Sequence, residues 1–134
     1  MIEVELSKII IDEEKKEQII ILKEKQGTKL LPIVIGLNEA AAIRIKLSGF
    51  IPPRPLTHDL MKSVIDNLEV GLEKVVIDKL VDSTFHAKLY LKSKDRPLKI
   101  VDARPSDSIA LAVRTKSPIF VEDEVLEKLT SGGL

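Results

Sequence analysis

The 134-residue chain has no cysteine and no tryptophan, a single tyrosine and three phenylalanines. Without cysteine there can be no disulfide, thiol nucleophile or thiolate metal site. Aromatics make up 3% of the chain and hydrophobic residues 44%, so the core must be built from Ile, Leu and Val. Charge of one sign is also missing, because 21 basic and 21 acidic residues cancel. A neutral total argues against a nonspecific nucleic-acid coat or a strong membrane-surface binder, although it leaves room for a local basic patch. No apolar run approaches the ~20 residues of a membrane span. Met1-Ile2-Glu3-Val4-Glu5 lacks the basic and apolar regions of a signal peptide. The expectation is a cytoplasmic protein with no membrane contact. Also missing are a phosphate-binding glycine loop, a serine nucleophile elbow and a His-x-x-x-His metal pair.

What the chain does have is a polar device used twice. Arg54-Pro55-Leu56-Thr57-His58-Asp59-Leu60 follows the helix-breaking run Phe50-Ile51-Pro52-Pro53 and precedes Leu60, Met61, Val64, Ile65 and Leu68 at helical spacing. Thr57 is a candidate N-cap, which places His58 and Asp59 at the positive end of a helix. Arg104-Pro105-Ser106-Asp107-Ser108 precedes the apolar run Ile109–Val113 in the same way. Only the first copy carries a histidine.

Read in order, Ile2, Val4 and Leu6 alternate with polar residues and open a strand running on to Ile11. A second strand begins at Ile19–Leu22 and ends near Gln26-Gly27. Leu30–Ile35 is a third, and Pro32 inside it removes a ladder donor and predicts an edge or a break. Asn38-Glu39 are read as the cap of a helix over about Glu39–Leu47, whose alanines permit close packing. The second helix reaches about Glu69. Strands follow over Glu73–Val81, from about Phe85 to Lys92, and over Leu98–Asp102. A third helix, Ser106 to about Lys116, is apolar nearly all round and should be buried. Ile119–Val121 is a short strand, a last helix runs through Leu129, and the tail 130–134 frays. This order lacks strict strand–helix alternation, so the chain reads as one α+β domain, residues 1–134, with a mixed sheet.

Glu39, Asp59 and Asp107 each fall in the first turn of a helix. Alone, each complements the helix dipole, worth ~1 kcal/mol or less. Together with His58 they would suit a divalent cation, magnesium foremost, if the helix starts face one cleft. His58, in a proline-bounded bend, is the candidate proton carrier, against a local hydrogen bond to Asp59. His86 alternates with lysines on a strand face and reads as a surface residue. Arg54 and Arg104 either hold phosphate oxygens or brace their loops through Asp59 and Asp107. Lys88, Lys92, Lys94, Arg96 and Lys99 crowd one hairpin, which suits a phosphate backbone or a solvated sheet edge.

Three blocks are similar to the bifunctional nuclease domain family: Leu31-Pro32-Ile33-Val34-Ile35-Gly36 with Glu39, the Arg54–Leu60 block, and Asp102-Ala103-Arg104-Pro105-Ser106-Asp107-Ser108 running into Ile109–Val113. Their order and spacing match too, and the likeness covers nearly the whole chain. The resemblance implies a compact α+β domain, oligomeric, with nuclease activity on DNA and RNA. The expectation that follows is a hydrolase with His58, Asp59 and Asp107 catalytic. Arg54, Arg104, Lys92 and Lys94 would bind substrate, and Glu39, Asp59 and Asp107 would hold a divalent metal ion. Nucleic acid and further copies of the chain are the expected partners. The alternative is a non-enzymatic ligand- or partner-binding module using the same cluster.

Overall fold

In a computed structural model of the chain, which describes residues 1–130, seven strands form one sheet in the order β3-β2-β1-β7-β4-β5-β6. The strands are β1 (Ile2–Asp12), β2 (Glu17–Glu24), β3 (Leu30–Ile35), β4 (Gly71–Val81), β5 (Thr84–Ser93), β6 (Arg96–Ala103) and β7 (Ile119–Val121). The helices are α1 (Leu37–Leu47), α2 (Thr57–Asn67), α3 (Pro105–Thr115) and α4 (Asp123–Thr130). All strand pairings are antiparallel except β4 with β7, so the sheet is mixed, as expected of an α+β domain. The expected fraying of the tail lies, from residue 131 onward, outside the described residues.

Aliphatic burial holds the layers together. Ile20 and Leu22 of β2, Val75 and Ile77 of β4, Ile109 and Leu111 of α3 and Val125 of α4 are fully enclosed. Burying one such side chain contributes about 1.5–3 kcal/mol. Helix α3 is the centre, packed on α1, α2, β4 and β5. Its all-round apolar sequence is the reason it can be embedded, and eight of its eleven residues are buried. Pro32 does mark an edge: β3 pairs only with β2, so the missing N–H costs no second ladder.

Two strands depart from simple alternation. A bulge between Leu6 and Lys8 shifts β1 by one residue and brings Ile9 onto the core face. Two more in β4, at Leu72/Lys74 and Ile77/Lys79, space its residues in the main core as Leu72, Val75, Ile77 and Leu80. The reading of β4 from Glu73 therefore started two residues late.

The helix starts also differ from the expected caps. Gly36 stands at the N-cap of α1, so Asn38 lies inside the helix. Leu56 and Arg104 hold the corresponding positions of α2 and α3, and neither Thr57 nor Ser106 caps its helix. In α2 the capping contact is Asp59, whose carboxylate accepts the Leu56 N–H at 3.0 Å.

Candidate active-site cleft

Helices α1 and α2 both pack against or beside α3, and the first turns of all three meet. The segment Ser48–Leu56 makes this possible. Ser48 and Gly49 turn the chain at the end of α1, and the seven residues 50–56, which carry three prolines and bend at Pro53-Arg54, are long enough to cover the ~16 Å of an eleven-residue helix. The chain leaves the end of α1 and returns to start α2 near the start of α1. Three positive helix ends then border a cleft of about 570 Å3 lined by Asn38, Glu39, Thr57, His58, Arg104 and Asp107, with Ala41, Ala42 and Ile45 as its floor.

Asp107 is the hub. His58 Nε2 lies 2.9 Å from its Oδ1. Arg104 grips the same carboxylate with two nitrogens, Nε to Oδ2 at 2.8 Å and Nη2 to Oδ1 at 3.2 Å. Arg104 Nη1 also reaches Glu39 Oε2 at 3.5 Å. The Glu39 carboxylate folds back over Gly36, where a Cβ would overlap it. Burial acts to raise the Asp107 carboxyl, but hydrogen bonds from Arg104 and His58 outweigh it and hold it below the ordinary carboxylate range. An ionised Asp107 only accepts hydrogen bonds. His58 therefore donates from Nε2, and in the neutral imidazole Nδ1 is then the nitrogen without a proton.

Asp59 belongs to a second network. Its Oδ1 accepts Arg114 Nε at 2.6 Å. The Leu56 N–H does most to lower its carboxyl, opposed by burial and assisted by Arg114. Arg114 is 3% exposed and has every nitrogen engaged: Nη1 donates to the Ala110 carbonyl at 2.8 Å and Nη2 to that of Ala42 at 3.0 Å. One guanidinium thus ties α3 to α1 and α2 directly behind the cleft.

Of the residues expected to act together, His58, Arg104, Asp107 and Glu39 meet. Arg54 and Asp59 are not among the residues lining the cleft. Arg54 is exposed and makes no ion pair among the described residues. Lys92 and Lys94 stand at the β5–β6 turn, beside Glu69 and Gly71. The eight residues of β6 separate that turn from Arg104, roughly 25 Å along the strand. The expected three-carboxylate metal set is divided as well. Asp59 faces Arg114, both Asp107 oxygens are engaged, and no group of three His, Asp or Glu converges among the described residues. Sequence reasoning missed Arg114, because a lone arginine at the end of an apolar helix reads as a complement to the dipole.

The bifunctional nuclease domain matches residues 20–131. The chain belongs to the bifunctional nuclease domain family. An uncharacterised protein of Mycobacterium tuberculosis is 44% identical over 124 residues, covering 92% of this chain and 73% of that protein. Bifunctional nuclease 1 of Arabidopsis thaliana is 31% identical over 105 residues, 76% of this chain and 32% of its own. Bifunctional nuclease 2 of Oryza sativa subsp. japonica is 32% identical over 114 residues, 83% and 35% respectively. The chain thus spans about a third of these plant relatives. No helix among the described residues is long and apolar enough to cross a membrane.

Proposed function

We propose that the cleft hydrolyses phosphodiester bonds of nucleic acid, DNA and RNA alike. The observation that carries this reading is the His58–Asp107–Arg104 cluster at three converging helix starts. Helix N-termini suit a phosphate group, and Arg104, at 64% exposure, is free to exchange a carboxylate for phosphate oxygens. Asp107 holds His58 with Nδ1 available. His58 takes a proton from the attacking water as the new P–O bond forms. It returns that proton to the leaving oxygen as the old P–O bond breaks, so atoms and charge balance. Glu39 and Asp107 keep Arg104 in place between turnovers.

A divalent ion is expected with such chemistry, and the carboxylates as arranged do not form its site. It would have to compete with Arg104 for Asp107 or arrive on the substrate phosphates. The experiment is cleavage of labelled single-stranded DNA and RNA by wild type, His58→Ala and His86→Ala, with and without chelator. Cleavage lost in His58→Ala and kept in His86→Ala supports the reading, and cleavage indifferent to His58 contradicts it.

We further infer that the protein self-associates. Leu60, Val64 and Leu68 form an exposed stripe along α2, and Phe50 and Ile51 are exposed in the preceding loop. A monomer mass by light scattering at micromolar concentration would overturn this.

A further inference from the structure

A second cavity, of about 690 Å3, lies on the other side of the Glu39–Arg104 pair, which forms the wall common to both. Pro32, Val34, Ile35, Phe85 and Pro105 make it largely apolar. Its polar groups are the shared Glu39–Arg104 pair, Ser83 and Thr84 at the β4–β5 turn, and Ser106 in the first turn of α3. Two features mark it as built to receive something. Ser106 lines it at 5% exposure, and its hydroxyl has no hydrogen-bond partner among the described residues. It is not one of the fully enclosed unpaired atoms, so solvent in the cavity can reach it and a ligand edge could take the place of that solvent. Ser83, at the turn, holds a left-handed backbone with φ of 64° that a serine adopts at a cost, and it too lines the cavity.

We propose that this cavity receives the unpaired nucleobase next to the phosphate held by Arg104. The inference rests on the nuclease reading of the neighbouring cleft. A nucleotide joins an anionic phosphate to a flat, mostly apolar base with hydrogen-bonding edges. The structure places an exchangeable guanidinium beside an apolar slot containing an aromatic ring and an unpartnered hydroxyl. Phe85 contacts the base, Ser106 bonds its edge, and Arg104 holds the phosphate at the boundary. A base inside a duplex could not enter, so the substrate class is single-stranded nucleic acid or a locally opened strand.

The test is binding, read by fluorescence anisotropy on the wild-type protein. The probes are a short labelled single-stranded oligonucleotide, the same strand with abasic residues, and the same strand annealed into a duplex. Base–aromatic contact predicts roughly ten-fold or more weaker binding of the abasic strand, with the duplex also weakened. Phe85→Leu, which retains apolar bulk, should shrink the gap between intact and abasic strands. Ser106→Ala should flatten the preference among bases. Should Phe85→Leu fail to melt cooperatively, the wild-type gap and Ser106→Ala still decide. Equal binding of intact and abasic strands, or an unchanged gap in Phe85→Leu and unchanged base preference in Ser106→Ala, overturns the base site. Cleavage without that gap leaves the nuclease reading standing alone. A gap without any cleavage leaves the base site standing and removes the hydrolysis.

Discussion

Two helices of this protein start alike and end up doing different work. In both, Arg-Pro leads to an aspartate at the third helical position: Asp59 in α2 and Asp107 in α3. Asp59 turns inward, caps its own helix and neutralises the buried Arg114. Asp107 turns to the cleft, where it takes His58 from the other device and Arg104 from its own. The arginines differ in the same way, since Arg104 is held by two carboxylates and Arg54 by none among the described residues. The same local pattern thus yields a structural clamp at one helix and a cleft-lining polar cluster at the other. What separates them is the neighbour that tertiary packing supplies, a buried guanidinium in one case and an imidazole in the other.

The comparison can be broken most forcefully at the clamp. Asp59→Ala strands the charge of Arg114 in the interior, so stability should fall by ~3–5 kcal/mol in denaturant melts. Adding Arg114→Leu should recover much of that loss, because an apolar side chain needs no partner. A mild loss in the single mutant would mean that Arg114 reaches water and that the two aspartates are not so different after all.

The arginines sharpen the contrast at the cleft. Arg104→Ala should raise KM roughly ten- to hundred-fold through loss of a charge-assisted contact. Its pairs with Asp107 and Glu39 are made from a side chain that is mostly exposed, so melting should change by about 1 kcal/mol or less. Arg54→Ala should raise KM far less, and that small rise should fade with salt. Equal effects would place Arg54 at the phosphate too.

Acid titration gives a smaller effect with a defined sign. Asp59 and Asp107 both lie below the ordinary value of 3.8 in the folded protein. Their contribution is fully present above that value and is lost as pH falls through the lower folded values. The melting temperature should therefore hold from neutral pH to about 5 and drop below about 4. Asp59→Asn should flatten part of that drop, since it no longer titrates. An unchanged slope would assign the acid transition to other carboxylates.

Much of this was legible in the sequence for physical reasons. Pro32 announced an edge because it cannot donate to a second ladder. The apolar circumference of α3 announced its burial. The condition that polar helix starts face one cleft is met by His58, Arg104 and Asp107, and not by Arg54 and Asp59. What stayed hidden depends on direction and distance through space. Nothing in the local pattern shows that Asp59 would turn to a residue 55 positions away. Nor does a lysine-rich hairpin show which end of its strands it occupies, and Lys92 and Lys94 lie at the end far from the helix starts. Bulges hid the start of β4, because its buried residues follow no single period.

The central claim is that His58 and Asp107 act as one unit on the phosphate. A double-mutant cycle on kcat tests it most directly, using His58→Ala, Asp107→Asn and the pair on single-stranded DNA, with melting recorded for each protein. Coupled action predicts that each single change lowers kcat by about two to four orders of magnitude. The double mutant should then be scarcely worse than His58→Ala alone. Losses that simply add, or a well-folded double mutant that cuts at the wild-type rate, would contradict the account.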